Sequence, residues 1–585
     1  MLYGTGRSGY PQAAPRPGGA RQRNRSPVTV PSLPRDADGR APAPAADALG
    51  AGLAPPFWAP PFWARPGGVA LIVGLYLAAH AAVRGLLGPV LGLDDAEQML
   101  FAQAWAWSYR FEQPPLFTWL LTALTQVVPP GALAATILRY ALLVVLYAAV
   151  FRVARSTLSD PRLAALTVYA YATIYVFAYY SHHDLTHTTM MATLLAVAWW
   201  VFARLARSPH PGNYILLGLV FGLGVLGKWN FLMFAAALPL AILALPRWRP
   251  LVWTPKTLAA IGVMAATVLP SAVWVLTRVP DAGAVAGGAL AQDGGGAGFG
   301  ATVAAGTAEL AEALIAFPQP FLPLVLICFA PALWRGLTSG HREVRLSPEP
   351  VPDRPDAGLL WAVIGIGIGL HWLVVPLLGA TTFEERWLQP IFMMLPLAVF
   401  AIAERGRPAP WSFRAFLAAT AVLVLVALVW RPIDYWRGAD HCGSCRPMVP
   451  YPALAEHLRT AGFGQGTVIA GEFHIGGNLR VFLTRDRPGS RLVYPGIPPA
   501  VFPDPPPAAA GGQCLLAWRV SDGRPDVQGP TDPPADLLAM LTGPLGGNAG
   551  APHDQGIAEA PMAGSDTRTY QLGWRLYPQP NGACR

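Results

Sequence analysis

Two adjacent carboxylates, Asp94 and Asp95, come directly after the first long apolar run of the sequence. Glu112 and Gln113 follow a short aromatic stretch further along the same segment. A carboxylate in a partly desolvated cleft has a raised pKa and can act as a general base near neutral pH. An N-cap followed by an interfacial aromatic belt is the alternative interpretation of this segment.

A second polar group is the turn Ser181-His182-His183-Asp184, between two apolar runs. Asp184 could cap the following helix. Adjacent imidazole and carboxylate groups can also bind a divalent metal ion, for which Asp94, Asp184 and His183 are the candidate ligands. The sequence leaves both interpretations open.

Two cations complete the set of candidate residues. Lys228 follows the glycine-rich segment 222–227, and Arg386 follows Glu384 and Glu385. Glycines allow a ligand to approach the backbone, and a lysine or arginine there can bind a phosphate. Lys228 could instead extend toward lipid headgroups, although the sequence contains only one other lysine, Lys256.

The elements that must position these residues are membrane helices. The 585 residues are 53% hydrophobic and 13% charged, with a mean hydropathy of +0.38. Soluble proteins carry about 25% charged residues, so a purely soluble enzyme is excluded. Eleven apolar runs have lengths near the roughly 20 residues of a membrane-spanning helix: 68–88, 133–151, 162–180, 185–203, 213–227, 230–246, 257–277, 310–334, 358–379, 387–403 and 413–431.

The net charge of +9 comes largely from arginines in the amino-terminal segment and in alternate loops. This pattern indicates membrane topology and not nucleic-acid binding. It predicts a disordered cytoplasmic tail over 1–66, a transmembrane domain over 67–431 and an extracytoplasmic α/β domain over 432–585. Asp94, Asp184, Lys228 and Arg386 then lie on the outer face of the membrane.

Four of the five cysteines lie in the carboxy-terminal segment, which suits an oxidising compartment. Cys442 and Cys445 could form a small-ring disulfide or a metal site, and Cys514 could pair with Cys584. Structural disulfides are the favoured interpretation.

The order of these motifs over about residues 68–403 resembles the dolichyl-phosphate-mannose-protein mannosyltransferase family, glycosyltransferase family 39, and its lipid A aminoarabinose transferase relatives. The matching positions are Asp94 to Glu97, Glu112 to Leu116, Asp184, and Gly227 to Trp229. Two positions depart from the family pattern: Asp95 stands where a glutamate is usual, and Gln113 where a histidine is usual.

The resemblance implies a GT-C fold with about 11 transmembrane helices. It also implies inverting transfer of a sugar from a polyprenyl-phosphate carrier to a protein, lipid or glycan acceptor at the outer face. Asp94 resembles the catalytic aspartate and Asp184 the second acidic residue of the family's site. The positions expected to contact substrate are Asp95, Glu112, Gln113, His183, Lys228 and Arg386.

Two other classes of protein fit the composition. A lipid or solute transporter would use buried acids as ion or substrate sites, but transporters usually show internal repeats and charges near the middle of the membrane. A catalytically inactive scaffold for envelope assembly is the other. The acids of this sequence lie in predicted outer loops, which favours the enzyme.

Overall fold

The computed structural model describes residues 60–110, 112–278, 298–339, 352–442, 445–487, 489–498, 501–503, 512–524, 528–542 and 551–578. The predicted disordered tail therefore lies almost entirely outside the described residues, as does Cys584. Within these ranges the membrane part is helical, and a five-stranded sheet forms in the carboxy-terminal part.

Eight described helices are long and apolar enough to span a membrane. A helix pair bent by 51°, Glu385–Phe392 with Leu395–Arg405, raises the number to nine. The spans are α1 (Pro66–Leu86), α4 (Ala132–Thr157), α7 (His187–Arg207), α10 (Pro255–Arg278), α11 (Phe299–Ala316), α12 (Phe321–Thr338), α13 (Ala357–Leu378) and α16 (Pro410–Trp436).

Shorter helices complete the membrane part: α2 (Leu93–Phe101), α3 (Leu116–Leu124), α5 (Pro161–Tyr169), α6 (Ser181–His183), α8 (Pro211–Gly227), α9 (Phe231–Ala244), α14 (Gln389–Phe392) and α15 (Leu395–Arg405). Helices α8 and α9 are apolar but short. The structure thus contains the predicted polytopic helical fold, but the count of eleven spans is not confirmed.

Two predicted runs differ from single helices. Run 162–180 is divided into α5, a 3₁₀ turn at Ala170–Thr173 and a π-helical turn at Val176–Tyr180. Run 310–334 is divided into α11 and α12 by a break that contains Pro318 and Pro320. Proline lacks the N–H that continues a helix, so two prolines this close together interrupt it.

The carboxy-terminal part has the predicted α/β character. Its sheet has the order β2-β1-β3-β5-β4, with β1 parallel to both neighbours and the β3-β5-β4 ladder antiparallel. The strands are β1 (Gly466–Ala470), β2 (Arg491–Val493), β3 (Gln513–Ser521), β4 (Asp554–Pro561) and β5 (Thr569–Pro578), and the helices are α17 (Tyr451–Thr460), α18 (Phe473–Leu479) and α19 (Ala535–Thr542).

Helix α18 packs directly on helix α2. The Asn478 amide oxygen accepts a hydrogen bond from the backbone N–H of Leu91 at 2.9 Å, and the His474 ring Nε2 lies 3.0 Å from the Leu91 carbonyl oxygen. A Cβ on Gly477 would overlap the backbone of Ala96. The absence of a side chain at Gly477 therefore permits this close approach, and the sheet domain holds the segment that carries Asp94 and Asp95.

A disulfide joins Cys442 to Cys445, as the spacing predicted, and Cys514 is also disulfide-bonded. The one free cysteine among the described residues is the buried Cys328. These disulfides favour the structural role expected for the late cysteines over a metal site.

Candidate active site

The amino-terminal end of α2 and the turn before α7 meet at one point. The backbone N–H of Asp94 donates a hydrogen bond to the Oδ1 atom of Asp184 at 3.0 Å. Gly92 makes this contact possible, because a Cβ at Gly92 would lie 2.5 Å from the same oxygen. Asp184 is therefore held at the N-terminus of α2, where unpaired N–H groups favour negative charge.

A polar cavity of about 520 Å³ opens beside this contact, and both Asp94 and Asp184 line it. Helix α1 contributes Arg84, and helix α16 contributes Arg431 and Asp434.

Further side chains complete the cavity wall. They are Arg386, Arg446 and the aromatic residues Tyr175, Tyr179 and Tyr180, together with His183. The cavity thus combines carboxylates that could accept a proton with four arginines that could bind an anion.

Asp94 has the pKa expected of a general base. Burial, followed by the neighbouring charges of Asp184 and Glu97, raises the pKa of Asp94 to about 8, and Arg386 opposes this rise. The carboxyl group can therefore exchange a proton close to neutral pH.

Asp184 is buried as well, and its pKa is raised by burial and then by Asp95. Arg139, the backbone N–H of Asp94 and Arg446 all act in the opposite direction. The hydrogen bond from the backbone N–H of Asp94 places Asp184 where it can orient α2.

His183 is neutral in the folded protein, because burial and then Arg431 lower its pKa to about 3. His183, Asp94 and Asp184 line one cavity. Nevertheless, the described part of the chain contains no group of three or more histidine, cysteine, aspartate or glutamate side chains that could hold a metal ion.

The Asp95 side chain contacts different residues from those around Asp94. It forms a 2.6 Å ion pair with Arg139, and the side chains are 2% and 1% exposed. Arg139 also donates to the backbone carbonyl of His183 at 3.2 Å. Asp95 is not among the residues that line the cavity, and its side chain is instead paired with Arg139.

Glu112 and Gln113 belong to a separate polar network. Gln113 donates to Glu97 at 2.8 Å, and Arg110 bridges Glu97 and Glu112 at 2.6 and 2.7 Å. Neither Glu112 nor Gln113 is among the cavity-lining residues. Their closest link to the site is Glu97, whose charge raises the pKa of Asp94.

Lys228 is not among the residues that line the cavity, and its Nζ atom lies 2.8 Å from the Thr188 hydroxyl oxygen. Burial and then Arg386 lower the pKa of Lys228 to about 8, while Asp94 and Glu384 oppose the fall. Arg386 itself pairs with Glu384. The structure thus brings the two predicted cations close to each other and to Asp94.

Sequence comparison identifies relatives for this chain. The profile of the dolichyl-phosphate-mannose-protein mannosyltransferase family matches residues 112–274. The lipopolysaccharide core galacturonosyltransferase RgtA of Rhizobium johnstonii is 30% identical over 462 residues, which cover 77% of this chain and 86% of RgtA. This chain belongs to the same family of GT-C membrane glycosyltransferases.

A second curated protein and two solved structures are also similar to this chain. RgtB of the same organism, also named a lipopolysaccharide core galacturonosyltransferase, is 27% identical over 87% of this chain and 97% of RgtB. ArnT from Cupriavidus metallidurans bound to undecaprenyl phosphate has a TM-score of 0.47 and 13% identity, covering 87% of this chain and 98% of ArnT. The mycobacterial arabinofuranosyltransferase AftD has a TM-score of 0.41 and 16% identity, covering 86% of this chain and 40% of AftD.

In this GT-C glycosyltransferase, sequence reasoning missed Gly92, Arg139 and three cavity arginines: Arg84, Arg431 and Arg446. Arg84 and Arg431 had a usable signal, because a charge at the end of an apolar run is a functional candidate. Gly92 had a weaker sequence signal, its position just before Leu93-Asp94. Arg446 had no sequence signal, because its position depends on how the carboxy-terminal domain packs on the membrane part.

Gly92→Ala is expected to reduce glycosyl transfer by at least about tenfold, because the new Cβ would displace the Asp184 carboxylate from the N-terminus of α2. Transfer rates and thermal unfolding of the purified protein in detergent measure the effect. Gly85→Ala is the matched control, since a Cβ at Gly85 meets no atom within 4 Å. Equal activity of the Gly92 and Gly85 variants would contradict the role given to this contact.

Proposed function

We propose that this GT-C glycosyltransferase moves a sugar from a polyprenyl-phosphate carrier to a lipid or glycan acceptor at the outer face of the cytoplasmic membrane, with inversion at the anomeric carbon. The observation that carries the proposal is the cavity that joins Asp94 to arginines at the ends of two membrane helices. The disulfide between Cys442 and Cys445 supports the outer face, since disulfides persist in oxidising compartments.

A groove beside the cavity suits the prenyl chain of such a donor. The groove has a volume of about 470 Å³, and its lining is mostly apolar and comes mainly from α1 and α16. The same helices carry Arg84 and Arg431 into the polar cavity. Leu428 in the groove and Arg431 in the cavity are three residues apart, about 4.5 Å along a helix. A lipid chain in the groove would therefore place its phosphate at the arginines.

Two hydrogen bonds hold the Arg84 side chain in place for this contact. Its Nη1 and Nη2 atoms donate to the backbone carbonyls of Gly88 and Val90 at 2.8 and 2.9 Å, which fixes the guanidinium group without neutralising it. Arg431 similarly donates to the carbonyl of His182 at 3.2 Å. Fixed positive charges of this kind stabilise negative charge that develops on a leaving phosphate.

In the proposed reaction Asp94 accepts the proton of the acceptor hydroxyl. The acceptor oxygen forms a bond to the anomeric carbon while the bond from that carbon to the phosphate oxygen breaks. The bonding electrons leave with the polyprenyl phosphate, and the cavity arginines stabilise its charge. A single displacement from the side opposite the phosphate inverts the anomeric carbon.

The cavity can also accommodate an anionic donor sugar. Its four arginines are more guanidinium groups than one phosphate needs as partners, although Asp94, Asp184 and Asp434 balance three of their charges. RgtA and RgtB are both named galacturonosyltransferases. A uronic acid, whose carboxylate could bind a second arginine, is the donor sugar class we propose.

Lipid extraction and native mass spectrometry of the gently purified protein test the donor. Polyprenyl phosphate, or its glycosylated form, is expected to co-purify with the wild type. Val424→Trp should lose this lipid because Val424 lines the groove. Val422→Trp is the matched control, because Val422 lies on the same helix, is 60% exposed and does not line the groove.

Two outcomes would count against the proposal. Recovery of bulk phospholipid alone, even after addition of synthetic polyprenyl phosphate, would contradict the donor class. Equal retention of polyprenyl phosphate by both tryptophan variants would contradict the groove as its binding site.

A further inference from the structure

A second polar cavity lies between the membrane part and the sheet domain. Its volume is about 210 Å³, and it shares two lining residues, Leu93 and Arg446, with the first cavity. Leu93 immediately precedes Asp94. The two cavities therefore meet at the amino-terminal end of α2, next to the base of the proposed reaction.

The wall of the second cavity carries more positive than negative charge. Its arginines are Arg446, Arg519, Arg524 and Arg568, and its acids are Glu472 and Asp522. Arg519 pairs with Glu472 at 2.9 Å, and Arg524 pairs with Asp522 at 2.7 Å. Arg446 and Arg568 remain as two positive charges that these acids do not balance.

Both remaining arginines have free hydrogen-bonding capacity. No described residue forms a hydrogen bond or ion pair with the side chain of Arg446, which is exposed. The Arg568 Nη2 atom donates to the Asp522 carbonyl at 3.1 Å, but its buried Nε atom has no partner among the described residues. A buried N–H without an acceptor is rare unless a ligand or water completes it.

Both arginines lie beside the disulfide-bonded Cys445. Arg446 directly follows Cys445, and the Nη1 atom of Arg568 donates to the Cys445 Sγ atom at 3.2 Å. Two cations that line one cavity wall suit an oxyanion better than a neutral sugar ring.

We propose that the second cavity binds an anionic group of the acceptor, either a phosphate or a carboxylate, and presents a neighbouring acceptor hydroxyl to Asp94. This inference rests on the proposed transfer reaction, which requires the acceptor to reach Asp94 from the side opposite the donor phosphate. The shared residues Leu93 and Arg446 provide the connection between the two cavities. The sheet domain then selects the acceptor, while the membrane helices hold the donor.

Ligand-observed NMR on the full-length protein in detergent tests the site directly. The donor site is first saturated with polyprenyl phosphate, and inorganic phosphate or glucuronate is then titrated. Arg519→Gln should weaken anion binding by about tenfold, whereas Glu472→Gln should tighten it by a similar factor, because each changes the net charge of the cavity by one unit. A disrupted fold would not tighten binding, so the Glu472 variant distinguishes an effect of cavity charge from an effect of misfolding.

Arg485→Gln is the matched control, because Arg485 is exposed, pairs with Asp486 and does not line the cavity. Binding of phosphate alone would identify a phosphorylated acceptor, and binding of glucuronate alone a uronate-bearing one. The inference is overturned if neither anion binds to the donor-saturated protein, or if Arg519→Gln and Glu472→Gln leave binding unchanged. Failure of polyprenyl phosphate itself to bind would instead overturn the proposed function.

Discussion

Asp94→Asn is expected to lower the rate of sugar transfer by about a hundredfold to ten-thousandfold, the usual contribution of a general base. The asparagine keeps the shape of the side chain and the backbone N–H that binds Asp184. Donor binding and the unfolding temperature should therefore stay close to those of the wild type. Single-turnover transfer from a radiolabelled polyprenyl-phosphate sugar measures the rate.

The pH dependence of the same reaction provides the second readout. Asp94 must be deprotonated to accept a proton, and its pKa is raised to about 8. At pH 7 about one tenth of the enzyme is then in the active form, so the wild-type rate should rise through pH 8 and level off near about pH 9. Residual activity of Asp94→Asn should lack this rise.

Asp486→Asn serves as the control for the removal of one carboxylate, because Asp486 is 83% exposed and lies outside both cavities. It should transfer sugar at the wild-type rate. A fully active Asp94→Asn enzyme, or a wild-type profile that is flat between pH 6 and 9, would show that another group takes the proton.

Asp95→Leu is expected to destabilise the protein by about 3–5 kcal/mol, because it leaves the buried Arg139 guanidinium without its counter-charge. Arg139→Met should have a loss of similar size, since it leaves Asp95 unpaired. Denaturant unfolding of the purified protein in detergent, followed by tryptophan fluorescence, measures both changes.

The double variant Asp95→Leu/Arg139→Met tests whether the loss of stability comes from leaving one buried charge unpaired. Replacing both charged partners with apolar groups is often neutral or stabilising, so the double variant should recover most of the lost stability. A double variant as unstable as the sum of the two single ones would show that each residue stabilises the protein independently of the other.

The residues that sequence reasoning anticipated share one property: they lie where an apolar run ends. The structure brings Asp94 close to both Asp184 and Lys228, in agreement with the expectation that the ends of neighbouring helices meet. Asp95 shows the limit of this reasoning. Adjacent helical residues point in different directions, and only the packing of α4 reveals that Arg139 takes the second carboxylate.

The number of membrane-spanning helices could not be predicted from composition alone. Composition locates an apolar run, but it does not distinguish one span from two helices separated by Pro318 and Pro320. The position of Arg446 beside Asp184 could not be predicted either, because it arises from contacts between segments hundreds of residues apart. Such contacts follow from tertiary packing and leave no local pattern.

The close packing of α18 on α2 has a consequence for how proteins of this kind can diversify. Gly477 against Ala96, and the Leu91 contacts of His474 and Asn478, depend on residues from both segments. We therefore expect the first loop and the carboxy-terminal domain to be inherited together. Recombination that brought in a foreign sheet domain with a new acceptor preference would also have to bring its matching loop, or the new enzyme would lose the alignment of its base.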